Sequence, residues 1–298
     1  MRGYMLIILA AVMWGIIGPV ARLAYSEGLQ PMEVALWRAV LAWFCFGTHA
    51  LVRRQLRMEL RDVPMVLLFA IFCVSLFYGF YQLAIKNGGA ALAAVLLYTA
   101  PAWVTVMSRF FLKERLTVVK LCALAMTLLG VVGVSVGAGD LQSALLDRLN
   151  YTAIIFGLLS GFCYALYYIF GKHFSGRYSS PNLFIYALPV GALGILPWVT
   201  FGPKSAAAWT ALVILAVVST YLAYYFYYAG LQYLEATRAA IVATLEPVIA
   251  AVVAFFWWHE FFSPVGYMGG ALIVGAVVLI VWDGKRSDAR KHPSMEKD

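Results

Sequence analysis

Long apolar runs separated by short polar segments fill nearly the whole chain. A membrane-spanning helix needs about 20 predominantly apolar residues to cross the hydrocarbon core. Ten runs meet this requirement, so the pattern predicts ten membrane helices with short connections. Their predicted bounds are 4–25, 32–52, 63–85, 91–112, 118–137, 151–173, 182–201, 209–231, 238–258 and 264–282.

The same arrangement of residues occurs twice, at an offset of 146 positions. Pro101 lies thirteen residues before Glu114, and Pro247 lies thirteen residues before Glu260, with an apolar run between them each time. Other matched pairs at this offset are Gly15 and Gly161, Tyr78 and Tyr224, and Ala90 and Ala236. One offset that holds over this length indicates two homologous halves.

Each half contains five predicted helices, an odd number, so the second half must enter the membrane from the opposite side. The sequence therefore predicts an all-α polytopic membrane protein with ten transmembrane helices arranged as two inverted five-helix repeats. We expect the first repeat at residues 1–137, a connection at 138–150, the second repeat at 151–284 and a basic tail at 285–298.

The distribution of positive charge predicts the orientation. Lys and Arg residues outside the helices gather on the side of the N-terminus, whereas Lys86, Arg148 and Lys204 fall on the other side. Cytoplasmic loops carry the excess of Lys and Arg, so we expect both termini in the cytoplasm and residues 138–150 in the periplasm. The predicted location is the inner membrane.

The amino-acid composition argues against several other classes of protein. Hydrophobic residues make up 63% of the chain and charged residues 12%, about half the charge of a typical soluble domain. The net charge of +8 comes from short segments between apolar runs, so we expect no nucleic-acid partner. The four Cys and four His are scattered without ligand spacing, so we expect no metal and no other cofactor.

Inverted repeats with short loops are typical of secondary transporters, whose binding site lies near the membrane midplane and opens to either side in turn. The expected partners are therefore a small-molecule substrate and the lipid bilayer. Glycine pairs such as Gly157 and Gly161 permit close helix contact. They leave both a monomer and a homodimer open.

The doubled apolar repeat, the Pro followed by Glu in the fourth and ninth helices and the glycines of the first and sixth carry a family resemblance. The chain resembles EamA-type permeases of the drug/metabolite transporter superfamily over nearly its whole length. This resemblance implies a bacterial inner-membrane permease, often an exporter of amino acids or other small metabolites. It also implies a central cavity lined mainly by helices 1, 3, 4, 6, 8 and 9.

Two ionisable side chains inside the predicted helices are candidate substrate-binding residues. Glu246 lies eight residues after Arg238, near the midplane, where an ionisable group marks a functional site. It is a candidate for proton coupling or for binding a substrate amine, and a purely structural role stays open. Arg38 either extends to the membrane interface or faces a cavity and binds a carboxylate or phosphate.

Tyrosines form the most distinctive local pattern. In the eighth helix they recur at i, i+3, i+4 and i+7, which predicts one shared face. Such a face can stack on a substrate or hydrogen-bond to it, although Tyr is also common at membrane interfaces. The candidate substrate-binding tyrosines are Tyr78, Tyr98, Tyr164, Tyr168, Tyr221, Tyr224, Tyr225 and Tyr228.

Pro101 and Pro247 are candidate gating residues. Each removes an intrahelical hydrogen bond and kinks its helix, and at membrane depth the freed carbonyls need new partners. A packing kink without a ligand remains the alternative for both. Glu114 and Glu260 lie at opposite membrane faces and are predicted ion-pair partners or gate residues.

The sequence thus predicts a transporter, and no catalytic residue, for a small organic metabolite such as an amino acid, related amine or organic acid, moved outward by alternating access. Export of amphipathic drugs or cations is the alternative within this class. A non-transporting receptor or scaffold is an alternative from another class. An intramembrane aspartyl protease is disfavoured, because Asp140 of the GxGD-like segment has no second aspartate inside a helix.

Overall fold

A computed structural model describes residues 1–138 and 150–291 of the chain. Within these ranges the secondary structure is helical, without a β-strand, and nine helices are long and apolar enough to cross a membrane. The predicted all-helical, multi-pass membrane fold is confirmed. Asp140, most of the predicted connection at 138–150 and the end of the tail lie outside the described residues.

The helices are numbered in chain order, and the membrane crossings are numbered first to tenth. The first half contains α1 (Arg2–Gly15), α2 (Ile17–Ser26), α3 (Pro31–Val52), α4 (Val63–Phe69), α5 (Phe77–Leu97), α6 (Ala100–Phe111) and α7 (Val118–Gly137). The second half contains α8 (Tyr151–Phe174), α9 (Ser180–Ile195), α10 (Ala206–Ala216), α11 (Ala223–Leu231), α12 (Ala236–Ala243), α13 (Leu245–Trp258) and α14 (Pro264–Lys291). Two π-helical segments, Ala70–Leu76 and Val217–Leu222, join α4 to α5 and α10 to α11. In chain order the ten crossings consist of α1 with α2, α3, α4 with the first part of α5, the rest of α5 with α6, α7, α8, α9, α10 with α11, α12 with α13, and α14.

The longest helical run, Leu60–Leu97, contains one crossing and the beginning of the next. It has 38 residues, about twice the length that one crossing needs. The run is interrupted at Gly89, whose φ of 79° and ψ of 163° are not helical and are readily adopted only by glycine. The residues after Gly89 continue into α6 and form the fourth crossing. Within the described residues, the nine long helices together with α6 therefore account for about ten crossings.

Irregular backbone occurs at equivalent positions in the two halves. At the offset of 146, the matched features are the π-helical segments, the helix breaks at Tyr98 and Thr244, and the left-handed residues Lys113 and His259. π-helical turns and left-handed residues other than glycine are both uncommon. Their coincidence at one offset shows that the two halves have the same fold.

The packing of α7 against α14 shows that the halves are inverted. These helices are the last of their repeats and occupy equivalent positions. Gly130 of α7 faces Ile273 of α14, and Gly137 of α7 faces Gly266 of α14. The residue number rises along one helix as it falls along the other, so the two helices are antiparallel. Equivalent helices that run antiparallel belong to inverted repeats.

Close contact between α7 and α14 depends on glycine at specific positions. A Cβ atom on Gly269 would lie 2.5 Å from the carbonyl oxygen of Gly130, whereas a Cβ atom on Gly270 would meet nothing within 4 Å. Overpacking typically costs about 1–3 kcal/mol. We expect Gly269→Ala to lower the thermal unfolding temperature of the purified protein by several degrees and Gly270→Ala to leave it nearly unchanged. Equal shifts for both variants would contradict this packing.

Two helix ends differ from the predicted bounds. The seventh crossing was predicted to continue to Phe201, but α9 ends at Ile195 and a short 3₁₀ turn follows. Pro197 within that turn lacks the amide hydrogen that an α-helix needs. The last helix continues to Lys291 instead of ending at Trp282. Its extension is anchored by an ion pair of 2.6 Å between Arg238 and Asp283.

Candidate functional site

A cavity of about 250 Å³ lies between the two halves of the protein. Its wall is formed by the first, second, third, fourth, sixth, eighth and ninth crossings. It is lined by Trp14, Gly15, Ile17, Gly18, Arg38, Phe77, Tyr78, Tyr81, Ala94, Leu97, Tyr98, Tyr164, Tyr224, Glu246 and Ala250. Five of these crossings are interrupted by breaks or π-helical turns, and irregular backbone at membrane depth is tolerated where it lines a cavity.

The structure brings together six of the ten substrate-binding residues that the sequence predicts. The six that line the cavity are Tyr78, Tyr98, Tyr164, Tyr224, Arg38 and Glu246. The other four, Tyr168, Tyr221, Tyr225 and Tyr228, lie outside it. Three of those four belong to the tyrosine pattern of the eighth crossing, so that pattern does not form a single cavity face.

The four outlying tyrosines pack against other side chains. Tyr168 is 3% exposed, and its ring lies edge-on to the ring of Tyr164 with 5.6 Å between their centroids. The ring partners of the remaining three are His49 for Tyr221 and Tyr225, and Phe184 for Tyr228. Tyr221 also forms a hydrogen bond of 2.8 Å with Nδ1 of His49. Of these four, Tyr225 and Tyr228 line a separate pocket on the side of the N-terminus.

Glu246 lies in the first turn of α13, immediately after the helix break at Thr244. The N-terminus of a helix carries partial positive charge, which stabilises a carboxylate there. The hydroxyl of Tyr164 donates a hydrogen bond of 3.3 Å to Oε2 of Glu246. Among the described residues, Glu246 forms no ion pair. Its carboxylate is therefore held by hydrogen bonds from Tyr164 and Tyr98, with a weaker electrostatic contribution from Arg38, and can accept a substrate cation.

Arg38 lies in the cavity wall and does not extend to the membrane interface. The residue is 9% exposed, and its Nε donates a hydrogen bond of 3.3 Å to Oγ1 of Thr220. Thr220 belongs to the π-helical segment of the eighth crossing. Within the part of the chain that the structure describes, Arg38 has no carboxylate partner. Its remaining guanidinium donors are available to an anionic group.

Pro101 and Pro247 lie just after the two helix breaks. Pro101 is in the first turn of α6, and Pro247 is in the first turn of α13. Proline is well tolerated at this position because the first amides of a helix have no internal partner. The hydroxyls of Thr99 and Thr244 donate to carbonyls three residues earlier. Each break is thus stabilised by its own local hydrogen bond.

Nine residues of the cavity lining, Trp14 and Tyr81 among them, were not among the predicted site residues. Trp14 lies in the wall, with its ring edge-on to Tyr224 at 5.4 Å between centroids. Tyr81 lines both the cavity and the opening described below. The sequence repeat could have indicated that the first crossing lies at the cavity. Gly15 matches Gly161, and both glycines contact a helix break in the opposite half.

Those glycine contacts are specific. A Cβ atom on Gly15 would lie 3.1 Å from the carbonyl oxygen of Glu246 and 2.6 Å from Cβ of Ile249. A Cβ atom on Gly161 would lie 2.6 Å from the carbonyl oxygen of Leu96. The first and sixth crossings therefore approach the broken ninth and fourth crossings more closely than any other residue would permit.

A vestibule adjoins the cavity on the side opposite the N-terminus. This vestibule has a volume of about 370 Å³ and shares Gly18, Tyr81, Ala94, Tyr98 and Ala250 with the cavity. Its outer rim contains Arg22 and Glu260, which form an exposed ion pair. The vestibule therefore lies between the cavity and the membrane face opposite the N-terminus.

The equivalent region on the side of the N-terminus is closed. Glu114, the counterpart of Glu260, is 7% exposed and accepts hydrogen bonds from the backbone amides of Ala236 and Thr237 at the start of α12. The hydroxyls of Ser108 and Thr237 are 2.7 Å apart and hydrogen-bonded. The carboxylate thus links the end of the fourth crossing to the start of the ninth.

An ion-pair network reinforces this closed face. Glu235 pairs with Lys120 and Arg238, both at 2.8 Å. Burial alone would raise the pKa of Glu235, but hydrogen bonds from Lys120 and Arg238 hold that pKa below its ordinary value. Glu235 is therefore ionised at neutral pH and connects α7 to α12.

The described residues contain no group of three or more His, Cys, Asp or Glu side chains arranged to hold a metal ion.

Comparisons with known proteins identify the architecture. A family model described as the EamA-like transporter family matches residues 1–136 and 151–282, one match for each half. A crystal structure that shares 18% identity covers 95% of this chain and 98% of its own, with a TM-score of 0.81. The fold described here is thus an experimentally observed one.

Curated relatives are named as transporters. An "Uncharacterized transporter" of Archaeoglobus fulgidus is 32% identical over 68% of this chain and 70% of its own. A "Probable terminal-alkyne amino-acid exporter" of Streptantibioticus cattleyicolor is 24% identical over 92% of this chain and 91% of its own. An "Uncharacterized inner membrane transporter YicL" of Salmonella typhimurium is 23% identical over 96% and 97%.

Proposed function

The chain belongs to the EamA-like transporter family, and on this premise we propose that it carries a small zwitterionic metabolite, an amino acid or a close relative, across the membrane. The observation that carries the proposal is the pair of opposite charges in one cavity. Arg38 and Glu246 both line the space between the halves. Neither has an ion-pair partner among the described residues.

A zwitterion satisfies both charges at once. Its carboxylate matches the planar, bidentate donor geometry of the guanidinium of Arg38. Its ammonium group can form charge-assisted hydrogen bonds with Glu246. An unpaired charge inside a membrane protein carries a high free-energy cost. A zwitterion lowers this cost by pairing with both charges, whereas a neutral solute does not.

The aromatic wall supports the ammonium end of the site. Tyr98 and Tyr164 both face Glu246, and a cation placed against such rings gains attraction from their π-systems. The cavity, at about 250 Å³, is smaller than the range of about 300–1,000 Å³ that is usual for drug-sized ligands. Its size thus favours a small metabolite over an amphipathic drug, the second candidate substrate class.

We propose that transport proceeds by alternating access between the inverted halves. The vestibule rimmed by Arg22 and Glu260 is open, whereas the equivalent region around Glu114 is closed. Closure of the vestibule together with opening of the region around Glu114 would expose the cavity to the side of the N-terminus. Pro101 and Pro247, placed beside the helix breaks, are the residues we propose as hinges for this motion.

The location and direction belong to the same proposal. The distribution of Lys and Arg supports cytoplasmic termini in the inner membrane. The open vestibule then faces the periplasm. We propose export, since the Streptantibioticus relative is named as an exporter. Glu246 is the residue that would carry a coupling proton.

The proposal is tested by exchange across a reconstituted membrane. Full-length protein is placed in proteoliposomes loaded with a mixture of unlabelled amino acids. Entry of labelled amino acids is followed without an electrical potential across the membrane. We expect saturable exchange of at least one zwitterion. Exchange of lipophilic amines without any zwitterion would favour the drug-export alternative. Absence of exchange for every zwitterion, with folding verified, would contradict the proposal.

A further inference from the structure

A second polar pocket lies away from the central cavity, on the face that carries the N-terminus. It has a volume of about 370 Å³ and shares no residue with the cavity. Its wall combines the start of α1, the end of α3, the start of α9 and the end of α11. Because it lies where these membrane helices end, it opens at the boundary between lipid and water.

The lining of this pocket is cationic. Arg2 and Arg53 contribute two guanidinium groups, and no carboxylate lines the pocket among the described residues. Nearby arginines have acidic partners, since Arg61 pairs with Glu59 and Arg177 pairs with Asp62. Arg2 and Arg53 have no ion pair within the described part of the chain. The pocket therefore holds two positive charges without a protein counter-charge.

The two arginines are the donors that point to a phosphate group. The start of α9 also lies in the pocket wall, but the hydroxyl of Ser179 donates to Oε1 of Gln55 and accepts the amide of Asn182, and Pro181 has no amide hydrogen. Binding of an anion therefore depends on the guanidinium groups. The ends of α3 and α11 contribute opposing carbonyl dipoles. Each of these amounts to about half an elementary charge, less than the full charge of each guanidinium. Arginine also matches phosphate geometry with paired donors.

Apolar surface continues from the pocket toward the membrane. Met5 follows Arg2 on α1 and is 67% exposed, and Leu51 and Val52 precede Arg53 and are 60% and 76% exposed. Leu6 lines the pocket itself. A ligand with a phosphate headgroup and acyl chains would satisfy both parts of this surface. We propose that this pocket binds the phosphate headgroup of an anionic phospholipid.

The proposal is independent of the transported substrate. The quaternary ammonium of phosphatidylcholine would add a third positive charge beside Arg2 and Arg53 without a carboxylate to balance it, so we expect phosphatidylglycerol to bind in preference. For a chain of this size, two basic residues near an anionic lipid correspond to a thermal shift of about 4 °C.

The test is a thermal unfolding measurement on the full-length protein in neutral detergent, with either lipid added at the same chain length and concentration. We expect phosphatidylglycerol to raise the unfolding temperature by about 4 °C more than phosphatidylcholine. The double variant Arg2→Gln with Arg53→Gln should lose most of this difference. The matched control is Arg54→Gln with Arg57→Gln, which removes two exposed charges of the same face that do not line the pocket.

Three outcomes would overturn the proposal. Equal effects of the two lipids on the wild type would exclude a selective site. Equal loss in the pocket variant and the control variant would indicate general surface attraction. Inorganic phosphate at matched ionic strength that protects the wild type as well as the lipid does, and fails to protect the pocket variant, would identify a free anion as the ligand. Transport by the pocket variant provides a separate readout of the central cavity.

Discussion

Substituting Glu246 by Gln is expected to lower exchange of a zwitterionic substrate about 10- to 100-fold at subsaturating concentration. Arg38→Gln is expected to do the same. Hydrogen bonds to charged groups contribute about 1.5–3 kcal/mol, and each 1.4 kcal/mol corresponds to a factor of ten in affinity. Both replacements preserve side-chain size well enough for the cavity wall to remain packed.

The two variants should fail for different substrates. The measurement compares one amino acid with its amide, which lacks the carboxylate, and with its deaminated analogue, which lacks the ammonium group. We expect Arg38→Gln to remove the preference for the amino acid over its amide. Glu246→Gln should remove the preference for the amino acid over the deaminated acid. This crossed pattern assigns each charge to one end of the substrate.

Controls separate loss of binding from loss of folding. Arg109→Gln removes a positive charge and Glu59→Gln removes a negative charge, each from an exposed position outside the cavity. Both control variants should leave exchange unchanged. Full exchange by Glu246→Gln, with unaltered dependence on pH, would remove Glu246 from the mechanism. Exchange that persists while stimulation by a pH gradient disappears would instead make Glu246 the site of proton coupling.

The architecture could be predicted because it depends on features that a sequence displays directly. Run length sets the number of crossings, and the offset between Pro101 and Pro247 reveals the repeat. An odd number of crossings in each half then requires inversion. The prediction that Glu246 lies near the midplane rests on the same kind of feature, since depth in a helix follows from position along it.

The tyrosine pattern of the eighth crossing could not be interpreted correctly because it treats four residues as one face. In the structure they form two pairs with i, i+4 spacing: the ring centroids of Tyr221 and Tyr225 are 6.5 Å apart, and those of Tyr224 and Tyr228 are also 6.5 Å apart. Tyr221 and Tyr225 contact His49, and of the four only Tyr224 lines the cavity. The neighbour that each pair meets depends on packing between crossings, which the spacing within one helix does not contain.

The environment of Arg38 could not be predicted either. Its depth was known from the sequence, but depth does not determine which face of α3 meets lipid and which meets the eighth crossing. The contact with Thr220 resolves this question. It depends on packing between residues that are far apart in the chain, which no single-helix pattern contains.

The second large effect is expected at the closed face. Glu114→Gln should shift the protein toward the state that opens on the side of the N-terminus. In the present state the Glu114 carboxylate accepts two backbone amides at the start of α12. The neutral amide of Gln accepts more weakly, and its NH₂ group opposes the second donor. A loss of about 1–2 kcal/mol changes the ratio of the two states about 5- to 30-fold.

Two cysteine reporters at equivalent positions measure this shift. In a background without Cys45, Cys73, Cys122 and Cys163, Ala94→Cys reports the vestibule and Ala240→Cys reports the closed face. Ala94 lines the vestibule, whereas Ala240 is fully buried. We expect a membrane-impermeant thiol reagent to label the first reporter and spare the second. Glu114→Gln should reverse this preference in part.

Glu260→Gln is the matched variant, and inversion of the repeats predicts that its effect has the opposite sign. In the alternate state Glu260 would accept the amides at Ala90 and Ala91, as Glu114 now accepts those of Ala236 and Thr237. Weakening that contact destabilises mainly the alternate state, because in the present state Glu260 forms only an exposed ion pair with Arg22, and such pairs contribute little to stability. Labelling at Ala240→Cys should therefore stay at or below its level in the protein with native Glu260. An increase for both glutamate variants would show that these residues act through general loss of stability, and that the two faces do not exchange roles.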